Sequence, residues 1–228
     1  MSTIADNILA LAARIDTAAK AAGRDPSTVR LLAVSKTKPA GAVREAYAAG
    51  VRDVGENYLQ EALAKQQELS GLPLTWHFIG PIQSNKTRAI AEHFDWVHSV
   101  DRLKIAQRLG EQRPAGLAPL NVCLQVNVSG EASKSGCEPA DLAALAHAVS
   151  VLPGLRLRGL MAIPQPTDDR VFQEAAFARL RELQERLGLE LDTLSMGMSH
   201  DLEAAIAQGA TWVRIGTALF GARDYGPA

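Results

Sequence analysis

Short apolar runs alternate along this chain with longer segments whose apolar residues recur three and four positions apart. The short runs are rich in β-branched and aromatic residues and predict buried strands, whereas the longer segments predict amphipathic helices. A helix that begins near Ile4 and ends before Gly23 precedes the first strand. Eight strands are predicted, at residues 30–36, 53–55, 75–80, 96–99, 120–127, 155–162, 193–196 and 212–215. Seven helices are predicted after strands one to seven, at residues 39–49, 58–69, 86–92, 102–111, 139–151, 171–187 and 202–208.

Eight strands that alternate with helices predict an α/β fold, a single (β/α)8 TIM-type barrel with an extra N-terminal helix. The reason is that neighbouring parallel strands need crossover connections, which are usually helical. A doubly wound open sheet is the structural alternative, although the G-x-G-x-x-G of a dinucleotide-binding sheet does not follow the first strand. The 228 residues, 47% of them hydrophobic, fit one domain over 1–228. Pro39 and Pro139 are expected in the first turns of their helices.

Composition excludes several classes of function. The net charge is -1, and no block of Lys and Arg suggests a nucleic-acid partner. Neither a leader peptide nor an apolar run of membrane-spanning length is present, so we expect a cytoplasmic protein. Cys123 and Cys137 lack a metal or redox spacing, and no disulfide is expected. The five histidines lack metal-ligand spacing, so no metal site is expected and a small-molecule partner is favoured.

Lys36 ends the first apolar run, LLAVSK at 31–36. Active sites of (β/α)8 barrels lie at the carboxyl ends of the strands, where this lysine is predicted to be. Apolar surroundings lower the pKa of a lysine, and the neutral amine is the form that attacks a carbonyl carbon. The same position also suits a surface lysine without a chemical role.

Two segments near the end of the chain supply groups that suit a phosphate. The segment LSMGMSHD at 194–201 leads from the seventh strand into a helix, with Ser199 as the predicted N-cap. The segment RIGT at 214–217 contains Gly216, where the backbone can approach a ligand, and Thr217, whose hydroxyl can donate. Barrels commonly bind phosphate with the loops after strands seven and eight. For Ser199, the simpler interpretation is an ordinary helix cap.

Arg214 is predicted to point into the barrel, where a guanidinium must be paired or face a ligand. Because arginine keeps its proton, it would donate a hydrogen bond to a pyridine nitrogen and disfavour protonation of that ring. The alternative partner is a barrel carboxylate such as Glu56. Polar groups after the second and third strands either orient a ligand or cap the following helices.

Seven motifs, taken together and in this order, resemble the pyridoxal phosphate homeostasis protein family of the YggS/PROSC type over nearly the whole chain. They are AVSKTKP at 33–39, GENYLQE at 55–61, WHFIGPIQSNK at 76–86, NVSGEASKSG at 127–136, GLMAIP at 159–164, LSMGMSHD at 194–201 and VRIGTALFG at 213–221. The resemblance implies a barrel similar to the N-terminal domain of alanine racemase. It also implies that pyridoxal 5′-phosphate (PLP) is held as a Schiff base on the lysine of the SK motif, here Lys36.

The resemblance also implies roles for seven further residues. Ser199, Gly216 and Thr217 match positions that hold the phosphate, and Arg214 matches the partner of the pyridine nitrogen. Three more lie in family motifs near the ring: Asn57, His77 and Met161. His200 stands where the motif often has another residue, and no consequence for the site is expected.

Three functions are compatible with a barrel lysine. The resemblance favours an intracellular PLP-homeostasis protein, which buffers the cofactor or delivers it to apo PLP-dependent enzymes and has no established catalysis. A PLP-dependent amino-acid racemase needs an acid–base group on each face of the cofactor. Barrel racemases take one from a C-terminal β domain, which residues 218–228 are too short to form, so Tyr58 or His77 would have to replace it. A cofactor-free aldolase would use the lysine directly.

Two questions stay open at the level of sequence. Lys38, Lys86 and Lys134 are candidates for a second cofactor-binding point. The family resemblance favours a monomer, although a periodicity argument does not decide the oligomeric state.

Overall fold

The computed structural model describes residues 3–130 and 135–222. Eight parallel strands close into a barrel in the order of the chain, which confirms the (β/α)8 prediction and makes the open-sheet alternative wrong. The strands are β1 (Arg30–Val34), β2 (Asp53–Glu56), β3 (Thr75–Phe78), β4 (Trp96–Val100), β5 (Leu120–Gln125), β6 (Leu155–Met161), β7 (Thr193–Ser195) and β8 (Trp212–Ile215). The prediction of one domain over 1–228 stays a prediction, because 1–2, 131–134 and 223–228 lie outside the described residues.

The helices cover the outside of the barrel. They are α1 (Ile4–Ala21), α2 (Ala40–Ala48), α3 (Leu59–Glu68), α4 (Thr87–His93), α5 (Leu103–Gln112), α6 (Leu142–Ser150), α7 (Arg170–Arg186), α8 (Leu202–Ala207) and α9 (Thr217–Phe220). Helix α9 was not predicted, because four residues are too few to show a period. Among the described helices, none is both long enough and apolar enough to cross a membrane.

Both proline positions differ from the prediction. Pro39 is the N-cap of α2 and not a residue of its first turn, and α6 begins at Leu142, three residues after Pro139. In α6 the N-cap position belongs to Asp141. Proline fixes φ but does not choose between the cap and the first turn, so the helix start is decided by where the chain packs against the barrel.

The predicted N-terminal helix is present as α1. Thr3 and Asp6 form a capping box in which each side chain accepts a hydrogen bond from the other residue's backbone N–H, at 3.1 and 2.9 Å. The buried face of α1 carries apolar residues at helical spacing, including Ile8, Leu11 and Ile15. This face packs against α2, α8 and α9, and so covers the seam where β8 closes onto β1.

Alternation along the strands divides the buried residues into two layers. One set faces the surrounding helices and forms the main core. Inside the barrel lie two smaller apolar clusters: Leu32, Val34, Ile79 and Trp212, and Trp96, Cys123 and Met161. Because Leu32 and Val34 point inward, the same alternation directs Lys36 to the inner mouth of the barrel. Cys123 and Cys137 are both free and buried, and burial raises the pKa of each thiol, to about 12 for Cys137.

Candidate functional site

A cavity of ≈ 270 Å³ opens at the carboxyl ends of β1, β7 and β8. Six of the eight residues predicted for the site line it: Lys36, Asn57, Ser199, Arg214, Gly216 and Thr217. The rest of its wall combines the apolar Val34, Ile79, Ile163 and Met198 with His200. Residues up to 181 positions apart in the sequence are thus brought to one mouth, as the barrel prediction requires.

The segment that carries Lys36 has unusual backbone geometry. Strand β1 ends at Val34, although the Ser35 N–H still donates to Gly55 O at 3.0 Å. Thr37 has a φ of 63°, and it is the one non-glycine residue with positive φ in 3–130 and 135–222. Such a conformation is costly for a β-branched residue and persists where the surroundings hold it. Lys36 is therefore presented from a constrained turn.

Helix α3 supplies the groups that hold this turn. Lys65 Nζ donates to Ser35 O at 2.7 Å, and Glu61 Oε2 accepts from the Thr37 N–H at 3.0 Å. Glu61 and Lys65 are one helical turn apart and lie 3.8 Å from each other. The backbone on both sides of Lys36 is thus fixed to the same helix.

Glu56 completes this support and is not the partner of Arg214. Its Oε1 accepts from Lys65 Nζ at 2.7 Å and from the Ser35 hydroxyl. The bond to Lys65 connects β2 with α3. Burial raises the pKa of the Glu56 carboxyl, and the ammonium of Lys65 opposes that shift. A salt bridge between Arg214 and Glu56, the alternative left open by the sequence, is therefore not formed.

Ser199 lines the cavity but is not the N-cap of α8. The cap position belongs to Asp201, whose Oδ1 accepts from the Met198 N–H at 2.5 Å. The N-cap prediction was wrong because the chain makes a tight turn before the helix. Gly197, with a φ of 96°, begins this turn, and a Cβ there would lie 2.6 Å from the Ala205 Cβ. The Ser199 side chain is left at the cavity wall.

Arg214 is 5% exposed and points into the barrel as predicted. Its Nη1 donates to Ser195 Oγ at 3.0 Å and its Nη2 donates to Ala162 O at 2.9 Å. Burial lowers the pKa of the guanidinium to about 10, and the carboxylate of Asp201 opposes the shift. The group thus stays cationic at neutral pH at one wall of the cavity.

His77 and Met161 do not line this cavity. His77 is fully buried below it, stacks on Trp96 with the ring centroids 5.6 Å apart, and contacts Asp53 and His98. Met161 is also fully buried and packs with Trp96 and Cys123. The structure therefore does not bring these two predicted residues to the other six.

The sequence analysis missed three polar residues of this region: two lie inside the barrel, and the third is exposed at its mouth. His98 and Ser195 connect His77 with Arg214. His98 lies in an apolar strand outside the quoted motifs, and Ser195 lies within the motif at 194–201 but was given no role there. His200, for which no consequence was expected, lines the cavity, and its Nε2 lies 3.6 Å from Asp201 Oδ2. Only the alternation of β4 and β7 could have indicated that His98 and Ser195 share the barrel interior.

The other candidate residues lie outside the cavity. Tyr58 and Lys86 line a separate groove with Phe78 and Pro81, and Tyr58 is 53% exposed. Lys38 Nζ donates to Ala222 O at 2.6 Å. Lys134 lies outside the described residues. A second binding point at these lysines stays a prediction.

Comparison with known proteins places this barrel in a family. The chain belongs to the family described as "Alanine racemase, N-terminal domain", whose model matches residues 7–224. Within it, the chain belongs with the pyridoxal phosphate homeostasis proteins. It is 81% identical to the "Pyridoxal phosphate homeostasis protein" of Pseudomonas aeruginosa over 226 residues, which cover 99% of this chain and 98% of that protein. The protein of the same name from Escherichia coli K12 is 56% identical over 235 residues, 99% of each chain.

Solved structures agree with this assignment. PipY of Synechococcus elongatus PCC7942, solved with PLP bound, is 45% identical and superposes with a TM-score of 0.85 over 96% of this chain and 100% of that one. The form without PLP gives the same TM-score at 46% identity. Alanine racemase of Corynebacterium glutamicum, at 18% identity and a TM-score of 0.69, shares the fold, and the chain covers 61% of that enzyme.

Proposed function

We propose that the protein binds PLP in the cavity at the barrel mouth, holds it reversibly through Lys36, and thereby buffers or delivers the cofactor. The observation that carries this proposal is the convergence of Lys36, Arg214, Ser199 and Thr217 on one cavity. When bound, PLP supplies an aldehyde carbon. Attack by the neutral Lys36 amine forms the C=N bond of a Schiff base, and the aldehyde oxygen leaves as water.

The residues of the cavity fit the parts of this cofactor. Arg214 is a fixed donor for a pyridine nitrogen, while the Ser199 and Thr217 hydroxyls can donate to phosphate oxygens. Thr217 is also the first residue of α9, so its backbone N–H has no partner within the helix. Asn57 Oδ1 is buried at this wall and has no hydrogen-bond partner among the described residues. A polar ligand would satisfy it.

Exposure at the rim supports exchange of the cofactor. Ile163, His200 and Thr217 are exposed, and Lys36 is half-buried. Because a Schiff base is broken by water, a bound cofactor at such a mouth can be released to an acceptor. The apo enzymes that accept it, and a monomeric state of the protein, are part of this proposal.

The decisive experiment loads purified protein with PLP and records the absorption spectrum, followed by borohydride reduction and peptide mapping. We expect an imine band in the visible or near-ultraviolet that is trapped on the peptide containing Lys36. Lys36→Ala should lose the band yet retain weaker binding of PLP through its phosphate, and Lys104→Ala, an exposed lysine of α5, serves as the matched control with the band intact. An undiminished band in Lys36→Ala would refute the assignment. A colourless wild type, even with added PLP, would favour the cofactor-free aldolase.

An amino-acid racemase is the alternative function, and it is tested because His200, which can act as an acid or a base, lines the cavity. The two substitutes considered for the second acid–base group, Tyr58 and His77, do not line the cavity, whereas His200 does. The loaded protein should be incubated with amino acids in D₂O. Exchange of the α-proton no faster than with free PLP supports the binding function, while faster exchange that is lost in His200→Gln supports the racemase.

A further inference from the structure

A chain of four hydrogen bonds crosses the barrel interior from the amino end of β2 to the cavity. Asp53 Oδ1 lies 3.1 Å from His77 Nε2, and His77 Nδ1 lies 2.9 Å from His98 Nε2. His98 Nδ1 lies 2.7 Å from Ser195 Oγ, which accepts from Arg214 Nη1 at 3.0 Å. His77, His98 and Ser195 are fully buried, so water does not compete for these bonds. We refer to these five residues as the interior chain.

With both imidazoles neutral, the aspartate end of the interior chain fixes the direction of the bonds that the histidines make, and the arginine end is compatible with it. Arg214 can only donate, so Ser195 Oγ accepts from it and keeps both its hydroxyl proton and a second lone pair for His98 Nδ1. At the other end the Asp53 carboxylate only accepts, so His77 Nε2 carries the proton and Nδ1 accepts from His98 Nε2–H. This end therefore assigns the same tautomer, with the proton on Nε2, to His77 and to His98, and His98 Nδ1 then accepts the Ser195 hydroxyl proton. All the donors therefore point from the arginine toward the aspartate.

This assignment requires that both imidazoles are neutral, and their surroundings agree. Burial lowers the pKa of His77 and lowers that of His98 well below its usual range. The charged and titratable groups around the interior chain are Arg30 and Asp95 near His77, and Asp201 and Cys123 near Arg214. The ring of Trp212 meets His77 edge-on at 5.0 Å and contributes no proton-accepting nitrogen.

We propose that Asp53, His77, His98 and Ser195 are positioning residues, which orient Arg214 and couple the hydrogen bond it donates in the cavity to a carboxylate at the opposite end of the barrel. The proposal rests on the proposed cofactor site, because it concerns the ligand atom that Arg214 contacts. Aligned hydrogen bonds polarise one another, so a change at one end is felt at the other.

The hydrogen bonds of the interior chain can also point in the opposite direction, so the coupling switches between two arrangements of protons. If Asp53 no longer accepts from His77, the His77 proton can move to Nδ1, and His98 Nε2 must then accept. The proton of His98 moves to Nδ1 and is donated to Ser195 Oγ, whose own hydroxyl loses its acceptor. Arg214 then shares its acceptor with a second donor, and its orientation toward the cavity changes.

The first test uses the protein without cofactor and observes the histidine ring nitrogens by 15N NMR. We expect the pattern of the Nε2–H tautomer for both His77 and His98 in the wild type. Asp53→Asn should move the resonances of His98, with which Asp53 has no contact. The matched control is Asp192→Asn, a carboxylate just before β7 whose bonds are to Arg158 and Thr193. A proton on Nδ1 of His98 in the wild type would overturn the proposal without any variant.

The second test uses protein loaded with PLP that carries 15N in its ring. We expect Asp53→Asn to displace the ring-nitrogen resonance more than Asp192→Asn does. In a Ser195→Ala background, where the interior chain is cut next to Arg214, Asp53→Asn should cause no further displacement. A displacement that persists in this background would come from through-space electrostatics and would refute coupling through the interior chain.

The two tests separate this inference from the proposed function. If PLP does not bind the wild type, the proposed function fails, and the NMR of the unloaded protein still decides whether the interior chain exists. If PLP binds and Asp53→Asn does not displace its ring-nitrogen resonance, the proposed cofactor site is retained and the positioning role is refuted.

Discussion

At the scale of single residues, the site is a set of short polar side chains on an apolar wall. Ser199 and Thr217 come from different loops, and both line the cavity, while the N-cap position of α8 belongs to Asp201. Hydrogen bonds to a charged group contribute more than neutral ones because the charge strengthens each bond. The two hydroxyls are therefore expected to contribute strongly to retention of the phosphate.

Ser199→Ala combined with Thr217→Ala should weaken PLP binding. Each lost bond to the phosphate costs about 1.5–3 kcal/mol, which for each hydroxyl is at least tenfold in the dissociation constant. Fluorescence titration with PLP measures this, and Thr17→Ala with Ser150→Ala, two exposed helical residues outside the cavity, is the matched control. Unchanged affinity in the cavity variant would remove both hydroxyls from the phosphate site.

Lys65→Met should destabilise the protein by about 3–5 kcal/mol at neutral pH, because it leaves the Glu56 carboxylate buried without its ammonium partner. The loss should shrink as the pH falls and Glu56 becomes protonated. Adding Glu56→Gln should recover part of the stability. Urea unfolding at two pH values tests this, and a cost that is independent of pH would show that Lys65 acts only by packing.

At the scale of elements, the loops after the strands were the least predictable parts. The strand positions followed from apolar runs, yet β1 ends two residues before Lys36, because the turn at Thr37 is held by Glu61 and Lys65 of α3. The residues next to Lys36 do not indicate that its turn contacts a helix more than twenty residues later in the chain. Contacts between elements therefore decided how Lys36 is presented at the cavity.

Gly80→Ala should disturb the loop that carries Asn57. A Cβ at position 80 would lie 2.2 Å from Asn57 O, and the backbone would have to move. We expect lower stability and weaker PLP binding, measured by thermal unfolding and titration. Gly41→Ala in α2, where a Cβ meets nothing within 4 Å, is the control. It should be neutral or stabilising by roughly 0.5–1 kcal/mol, since alanine favours helices. Equal effects of the two changes would contradict this account.

At the scale of the whole molecule, the closed barrel places polar residues from β2, β3, β4, β7 and β8 on one interior axis. His77 and His98 are neutral there because burial lowers the pKa of both. Between the folded pKa and the unfolded value near 6.5, the unfolded chain binds more protons than the folded one. Their contribution to stability is thus complete above pH 6.5 and is lost as the pH falls below it.

The free energy of unfolding should therefore decrease below pH 6.5, by up to about 1.4 kcal/mol per pH unit for each of the two groups. Urea unfolding between pH 7.5 and 5 measures this slope. His98→Gln should flatten it more than His147→Gln, the control on the exposed surface of α6. The raised pKa of Glu56 makes the free energy of unfolding fall as the pH rises above 4.5, which is opposite to the effect of the histidines. Wild type and His98→Gln share this contribution of Glu56, so it cancels when their slopes are compared. A slope that His98→Gln leaves unaltered would contradict neutral buried histidines.

The sequence by itself determined the number and order of the strands, eight of the nine helices among the described residues, the barrel, and six residues of the cavity, among them Lys36 and Arg214. It could do so because side-chain periodicity and the rule that barrel sites lie at the carboxyl ends of strands are local or generic. The tertiary structure alone decided that Glu56 pairs with Lys65, that Asp201 rather than Ser199 takes the N-cap position of α8, and that hydrogen bonds lead from His77 through His98 and Ser195 to Arg214. These contacts form between side chains from elements that are far apart in the sequence. The spacing of residues along the chain does not predict which of those side chains come into contact.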